Sequence, residues 1–363
     1  MERMSKMTDI KIPKFYVSGK NILDKTGKYT SKFGKYALII CGKTAWNKTG
    51  QRILMNLARE RLEYRVEVYH GHCTLNDIKI YSESARKLKV DVVLGVGGGK
   101  VIDMAKTIGD RTGKPVIAIP TVATSCAACS NISIIYDDTG RYIDYVRLKK
   151  LPELILTDID LILESSIRYL NAGIGYAMSV FKYFDHVKQD EYPVNILEKY
   201  IEGLYEELDE NIDDECYRKL IDSIIVLSGM RQNHDIVDNS IDICNYVVNN
   251  MTYISDTRYS LYGEKTSFAL VVQFVLENRS KDEIFKAIDI FTKIGLPVTL
   301  SQLGIKYGSK IKISGIKDNI HLKFRDYEKE NIIEKAIIKA DEMGNEYLGK
   351  KSSGNDQILN AII

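Results

Sequence analysis

The sequence predicts an α/β fold, with a parallel sheet carrying helices on both faces in its N-terminal part and an all-helical C-terminal part. Three observations predict it. Short β-branched runs alternate with amphipathic helical stretches as far as residue 160. One of those runs leads straight into Gly95, Gly97, Gly98 and Gly99 and then a helix. After Leu154–Thr157 the strand pattern stops.

Residues 1 to 12 are polar and basic and are expected to fray. Lys14–Ser18 and Tyr36–Cys41 (YALIIC) read as strands, Thr49–Leu62 as an amphipathic helix, and Tyr64–Tyr69 (YRVEVY) as an alternating strand. Asn76–Leu88 is helical, Asp91–Leu94 is a buried strand, Lys100–Arg111 is the next helix, and Pro115–Ile119 is a short strand. Asn131–Tyr136, followed by DDTGRY with turn residues Asp138 and Gly140, reads as a β-hairpin. Beyond Leu161 the pattern is helical over 163–188, 192–208, 214–230, 236–254, 262–277, 281–294 and 327–343. The reading therefore places an α/β domain over 1–160 and a helical domain over 161–363. Tyr- and Ile-rich faces in the second part read as core.

Val92–Lys106 (VVLGVGGGKVIDMAK) carries the chemistry of the first part. Glycines at a strand-to-helix junction let the backbone approach a phosphate, and the helix start offers unbonded N–H groups and a positive dipole end. An ordinary βα turn is the plain alternative. Three consecutive glycines are more than such a turn needs, although their spacing is not G-x-G-x-x-G.

The 363 residues suffice for two cores. With 51 basic against 49 acidic residues, nucleic acid is not an implied partner. No apolar run approaches the roughly 20 residues of a membrane helix, and no signal-peptide pattern is read, so a cytoplasmic location is expected. Six scattered cysteines make no disulfide framework, and Cys126 with Cys129 is a lone C-x-x-C. Five histidines (70, 72, 186, 234 and 321) include one H-x-H and no H-x-x-x-H, so no histidine-built metal site is visible.

The ordered segments GVGGGKVIDMAK, IPTVATSCAACSNISIIYDDTG, LNAGIGYAMS and LYGEKTSFALVVQFVLEN together resemble the glycerol dehydrogenase branch of the iron-containing (group III) alcohol dehydrogenases. The early GHCTLNDI and the closing GNDQILNAI extend the similarity over nearly the whole chain. The resemblance implies a dehydroquinate synthase-like fold with its active site in a cleft between the two domains. It also implies an NAD(P)-dependent oxidoreductase acting on a hydroxyl group, and a homo-oligomer. Carried over position by position, Gly97, Gly98, Gly99 and Lys100 resemble the pyrophosphate cradle, with Asp103 facing the cofactor. Thr121 and Thr124 match the nicotinamide side, and Ser130, Ile132 and Tyr136 match a hairpin closing over the cofactor.

Three departures from the family qualify this. The family's three metal ligands, an aspartate and two histidines, fall on Tyr176, Asn245 and Tyr262, poor ligands for a divalent ion, so no zinc or iron is expected. Asp103, Asp185, His186 and Glu264 are the nearest substitutes in the sequence, without ligand spacing. The aspartate near the polyol falls on Cys126, which with Tyr176 and Asn245 marks the expected substrate pocket. The aspartate that takes the ribose hydroxyls falls on Gly42, followed by Lys43 and Thr44, so NADP is as good a fit as NAD. The expected chemistry is then a metal-independent dehydrogenation of a small-molecule or peptidic hydroxyl substrate. Tyr262 would move the proton, with Tyr176 beside it and Lys265 one helical turn on. A β-hydroxy acid that decarboxylates after oxidation is a variant of this reading. Its alternatives are a catalytically silent nucleotide-binding homologue acting as partner or scaffold, and an ordinary metal-dependent glycerol dehydrogenase.

Overall fold

The structure is a computed structural model that describes residues 13–181, 195, 197–199, 214–235, 243–305 and 332–362. Its N-terminal elements are β1 (Phe15–Gly19), α1 (Thr26–Thr30), β2 (Tyr36–Gly42), α2 (Lys43–Arg59), β3 (Glu63–Tyr69) and α3 (Leu75–Leu88). There follow β4 (Val92–Gly97), α4 (Gly99–Thr112), β5 (Val116–Pro120), the hairpin β6 (Ile132–Tyr136) and β7 (Tyr142–Arg147), then β8 (Leu154–Asp158), α5 (Ile159–Leu163) and α6 (Ile167–Val180). The later helices are α7 (Asp214–Asp222), α8 (Ser228–Asp235), α9 (Ile243–Met251), α10 (Tyr262–Leu276), α11 (Lys281–Lys293) and α12 (Ile332–Ile362).

Among the described residues, six parallel strands form one sheet in the order β1-β8-β5-β4-β2-β3. Strands β4, β5 and β8 are buried along their whole length, as an apolar run covered on both faces should be. Ile53 and Leu57 of α2 pack with Ala37, Ile39 and Leu94 on one face. Ile78 and Ala85 of α3, with Met104 and Ile108 of α4, pack with Leu38, Ile40 and Val93 on the other. Each such fully buried Leu or Ile contributes about 1.5–3 kcal/mol.

Strand β2 lies between β3 and β4, and the chain leaves β2 and β4 for helices on opposite faces. The carboxyl ends of β2 and β4 therefore flank a topological switch point, the place where an open α/β sheet takes its ligands.

Helix α4 is buried almost all round, from Val101 to Gly109, because the sheet covers one side and the β6–β7 hairpin the other. The sequence reading starts α2 six residues late. Its first turn buries Ala45, and then Thr49 and Gly50, small residues that carry no apolar periodicity.

The described chain divides into two compact units, residues 1–173 with 212–240, and residues 174–211 with 241–363. The sequence reading draws one break near 160, whereas the first unit here includes α5, the first half of α6, and α7 and α8. The reason is polar docking. The hydroxyls of Tyr16 and Ser18 on β1 both donate to Asp222 of α7, and Arg218 pairs with the same carboxylate at 3.0 Å. From α8, Asn233 accepts the Asn131 N–H at 2.8 Å and donates to the Cys129 carbonyl at 3.0 Å. Helical periodicity does not reveal which sheet or bundle a helix serves.

The 163–188 helix breaks between α5 and α6. The expectations for residues 1–12, for most of 192–208 and for the ends of 163–188, 236–254 and 327–343 lie outside the described residues, as do Asp185 and His186. Among the described residues, no helix is long and apolar enough to cross a membrane.

Candidate active site

The first unit sets out a row of chain ends at the carboxyl edge of the sheet. Gly42 pairs with Tyr69, Cys41 with Val96, and Gly97 with Pro120. Three turns therefore leave the sheet side by side, at His70, at Lys43 and at Gly98, with Thr121 beyond them. Thr121 is tied into the row by its N–H, which donates to the Gly97 carbonyl at 3.2 Å.

The glycines of this row differ in what requires them. Gly97 has φ +155°, and a Cβ there would stand 3.1 Å from Val101, so the protein itself excludes a side chain. Gly98 has φ −82°, and its Cβ would make only ordinary contact with Val122 at 3.4 Å. A Cβ on Gly99 would likewise meet Ala127 at 3.4 Å. Nothing in the protein demands glycine at 98 or 99. A backbone left bare at the start of α4, with no side-chain cap on its first N–H groups, fits the close approach of a phosphate.

Lys100, in the first turn of α4, lies at the surface, with Nζ 2.8 Å from His72 Nδ1 and 5.5 Å from the Tyr136 ring centre. Tyr136 also stands 5.8 Å from the His72 ring, and the backbone of Gly140 at the hairpin tip closes against that ring. Partial loss of hydration around Nζ pushes the Lys100 ammonium below its ordinary range, and partial burial with Lys100 beside it pushes His72 down as well. His72 is absent from the sequence-derived site. Only the H-x-H that contains it could have drawn attention there.

Two of the expected cofactor residues, Asp103 and Ser130, are bonded into the scaffold. The Asp103 carboxylate is buried, pairs with Lys106 at 2.8 Å and accepts the Ile134 N–H at 3.1 Å. Lys106 Nζ also donates to the carbonyls of Ala127 (2.6 Å), Ser130 (3.1 Å) and Ile132 (2.6 Å), fastening the 121–131 loop and the hairpin to α4. Ser130 is buried, its hydroxyl accepting the Ile132 N–H at 3.2 Å. Ile132 opens β6 and is half-buried, while Thr121 and Thr124 remain partly exposed beyond β5. Cys126, expected in a substrate pocket, is buried, and its thiol donates to Gln232 Oε1 at 3.1 Å. The loop that carries it packs against α8, which the sequence reading assigns to another domain. All six cysteines are buried thiols. Burial raises the Cys129 thiol to about 12, which does not suit a redox pair with Cys126.

In the second unit the three positions matched to metal ligands do come together. Tyr262 opens α10 and its hydroxyl donates to Asn245 Oδ1 of α9 at 2.8 Å. Tyr176 of α6 is buried and meets the Tyr262 ring edge-on, with centroids 5.9 Å apart. Lys265 and Glu264 are both buried, and Glu264 caps the helix by accepting the Leu261 N–H at 2.7 Å.

Two phenols and a neutral amide, with one phenol proton given to the amide oxygen, are not a donor set for zinc or iron. Among the described residues, no group of three His, Cys, Asp or Glu side chains is placed to hold a metal ion.

Comparison with known proteins places this geometry. The model of the iron-containing alcohol dehydrogenase family matches residues 13–159. A glycolaldehyde reductase of Halobacterium salinarum is 25% identical over 360 residues, covering 93% of this chain and 98% of that protein. A glycerol dehydrogenase of Escherichia coli is 26% identical, covering 82% of this chain and 85% of its own. The crystal structure of glycerol dehydrogenase from Schizosaccharomyces pombe superimposes with a TM-score of 0.75 at 22% identity, covering 96% of this chain and 94% of that one. The fold is therefore dehydroquinate synthase-like. The strand order, the glycine turn and these relatives together make the chain similar to the glycerol dehydrogenases among the iron-containing alcohol dehydrogenases.

Proposed function

We propose that the chain is an NAD(P)-dependent oxidoreductase that acts on the hydroxyl group of a polyol, simple alcohol or hydroxy acid and works without a divalent cation. The relatives support an alcohol or glycerol dehydrogenase-like oxidoreductase. The observation that supports the finer reading is the hydrogen bond from Tyr262 to Asn245, two positions that the family resemblance matches to metal ligands.

The dinucleotide, when bound, supplies the hydride acceptor. The first unit holds it with bare backbone at Gly98 and Gly99 and with the Lys100 ammonium. The second unit handles the substrate proton. A metal would lower the pKa of the bound alcohol; here that work falls to Tyr262, which as phenolate takes the alcohol's proton and as phenol returns it when the carbonyl is reduced, with Asn245 beside its oxygen. Tyr176 walls one side of that phenol with an apolar ring edge. A β-hydroxy acid asks least of such a site, because loss of carbon dioxide from the β-keto product draws the reaction forward.

The experiment is turnover in excess chelator. Polyols, alcohols and hydroxy acids are screened with each dinucleotide, reading reduced cofactor and released carbon dioxide. We expect activity that chelator leaves intact and that Tyr262→Phe lowers by about a hundredfold or more. Activity abolished by chelator and restored by zinc or iron would overturn the metal-free reading. Full activity in Tyr262→Phe would remove the proton-transfer role.

A second reading draws on the same bond. A Tyr262 proton spent on Asn245 beside an edge-packed Tyr176 is also how side chains fill a vacated cavity, as in a silent nucleotide-binding homologue. Dinucleotide binding without turnover of any of these substrates would favour it.

A further inference from the structure

We infer that two copies of this chain join through β3, their edge strands running antiparallel about a twofold axis at Val66, so that two six-stranded sheets become one. The inference goes beyond the proposed reaction and does not depend on it.

The two edges of the sheet are finished differently. At one edge, Tyr16 and Ser18 of β1 donate to Asp222 of α7, which lays a helix against that strand. At the other, β3 pairs with β2 alone among the described residues, in a register unbroken from Glu63 to Tyr69. Proteins ordinarily blunt an edge strand with proline, lysine, a bulge or a covering element. The strand EYRVEVY holds no proline and no lysine, and its ladder with β2 has no bulge. Tyr64 is 43% and Val68 39% exposed.

Hydrogen bonding fixes which backbone groups are available. The Glu63 N–H donates to the Lys35 carbonyl, and the Cys41 thiol reaches the Glu67 carbonyl, so the odd-numbered residues turn their backbone groups to β2. Alternation turns those of Tyr64, Val66 and Val68 outward. A second β3 exchanges N–H···O bonds with this one only where such residues face one another.

A twofold axis allows few registers that do this, and charge chooses among them. With the axis at Arg65 or at Glu67, that residue faces its own copy and like charges meet. With the axis at Val66, Arg65 faces the partner's Glu67, Tyr64 faces the partner's Val68, and Val66 faces the partner's Val66. The Arg65–Glu67 pair that each chain makes within itself at 2.8 Å is then matched across the axis in both directions. Tyr64, Val66 and Val68 of both copies line up as one apolar strip on a single face of the joined sheet. A pattern complementary to itself is what an isologous interface requires.

The test is sedimentation velocity of the full chain at roughly 1 to 100 μM, with association read from its concentration dependence. We expect the parent to associate, and Arg65→Glu to weaken the association at least about tenfold by setting like charges opposite one another. Adding Glu67→Arg to that variant restores opposite charges across the axis and recovers the association. Val66→Pro, which removes an N–H that β2 does not use, abolishes it. Oxidation locks the Val66→Cys variant into a dimer that reductant releases, since exchanged residues stand about 5.5 Å apart and the native thiols are buried. Unchanged circular dichroism and melting temperature show that the variants are folded. A monomeric parent, or an association that Arg65→Glu and Val66→Pro both leave untouched, overturns the inference. So does a charge swap that fails to restore association, or a dimer that Val66→Cys cannot lock.

Discussion

The two places where polar groups converge treat them in opposite ways. At the carboxyl edge of the sheet the protein leaves donors unspent: bare N–H groups at the start of α4, and ammonium groups on Lys43 and Lys100 that no carboxylate among the described residues neutralises. Around Tyr262 it spends them, phenol on amide and ring edge on ring. Donors left at the surface are open to water or to a ligand, whereas a set that satisfies itself needs neither. The first region reads as a binding surface whose ligand is an anion. The second is a set of side chains that bond and pack against one another.

The largest effect that sharpens this contrast lies within α4, where Lys106 and Lys100 sit two turns apart. Lys106 is fully buried among three carbonyls and the Asp103 carboxylate, so Lys106→Met should destabilise folding by about 3–5 kcal/mol, because it strands a buried charge. The double variant with Asp103→Leu should recover much of that loss. Lys100→Met should change stability by less than about 1 kcal/mol and act on dinucleotide affinity instead. Denaturant unfolding with and without the dinucleotide separates the two. A Lys106→Met protein of ordinary stability would show that the pair is not what holds the hairpin down.

The glycines offer the next test. Gly97→Ala should cost about 1–3 kcal/mol, since φ +155° and Val101 both oppose it. Gly98→Ala should cost well under about 1 kcal/mol and yet weaken dinucleotide binding about tenfold or more, if a phosphate occupies the space. Equal losses of stability in the two variants would remove the argument that Gly98 is bare for a ligand.

A smaller effect is expected in the second unit. Tyr262→Phe removes one hydrogen bond and should lower stability by about 0.5–1.5 kcal/mol, as read from the denaturant midpoint. A variant more stable than the parent would mean that the phenol is held against the fold's preference, as functional groups often are.

The sheet was legible because its strands are buried runs of β-branched residues bounded by turn residues, and Val92–Gly97 shows this most plainly. The glycine turn was legible for the same reason. What escaped was whatever depends on a partner far along the chain. Asp103 looks like a ligand residue in sequence because its cation, Lys106, is only one turn away while the carbonyls that bury both lie beyond residue 126. Nothing in the sequence around Cys126 announces that Gln232 lies against it. His72 and Lys100 are 28 positions apart, and nothing in either segment announces the other. The meeting of Tyr176, Asn245 and Tyr262 was legible only through the family resemblance, since three helices deliver them.

The smallest expected effect is a slope rather than a midpoint. His72 is held between the Lys100 ammonium at 2.8 Å, the Tyr136 ring and the backbone of Gly140. Burial and Lys100 lower its pKa below the usual 6.5, with Asp137 opposing them. The folded state therefore favours the neutral imidazole, which is the form that accepts the Lys100 proton. Below the usual value the unfolded chain takes up a proton before the folded one does. The stability His72 contributes is thus fully present above pH 6.5 and is lost as pH falls through the lower, folded-state value. Denaturant midpoints taken from about pH 8 to about pH 5 should fall less steeply for His72→Asn than for the parent, the difference isolating this group from the other histidines. Dinucleotide affinity should follow the same titration, because a protonated His72 repels Lys100 from the place where its charge is used. A parent slope identical to that of the variant would separate His72 from Lys100, and would leave the ammonium at the cradle held by the Tyr136 ring alone.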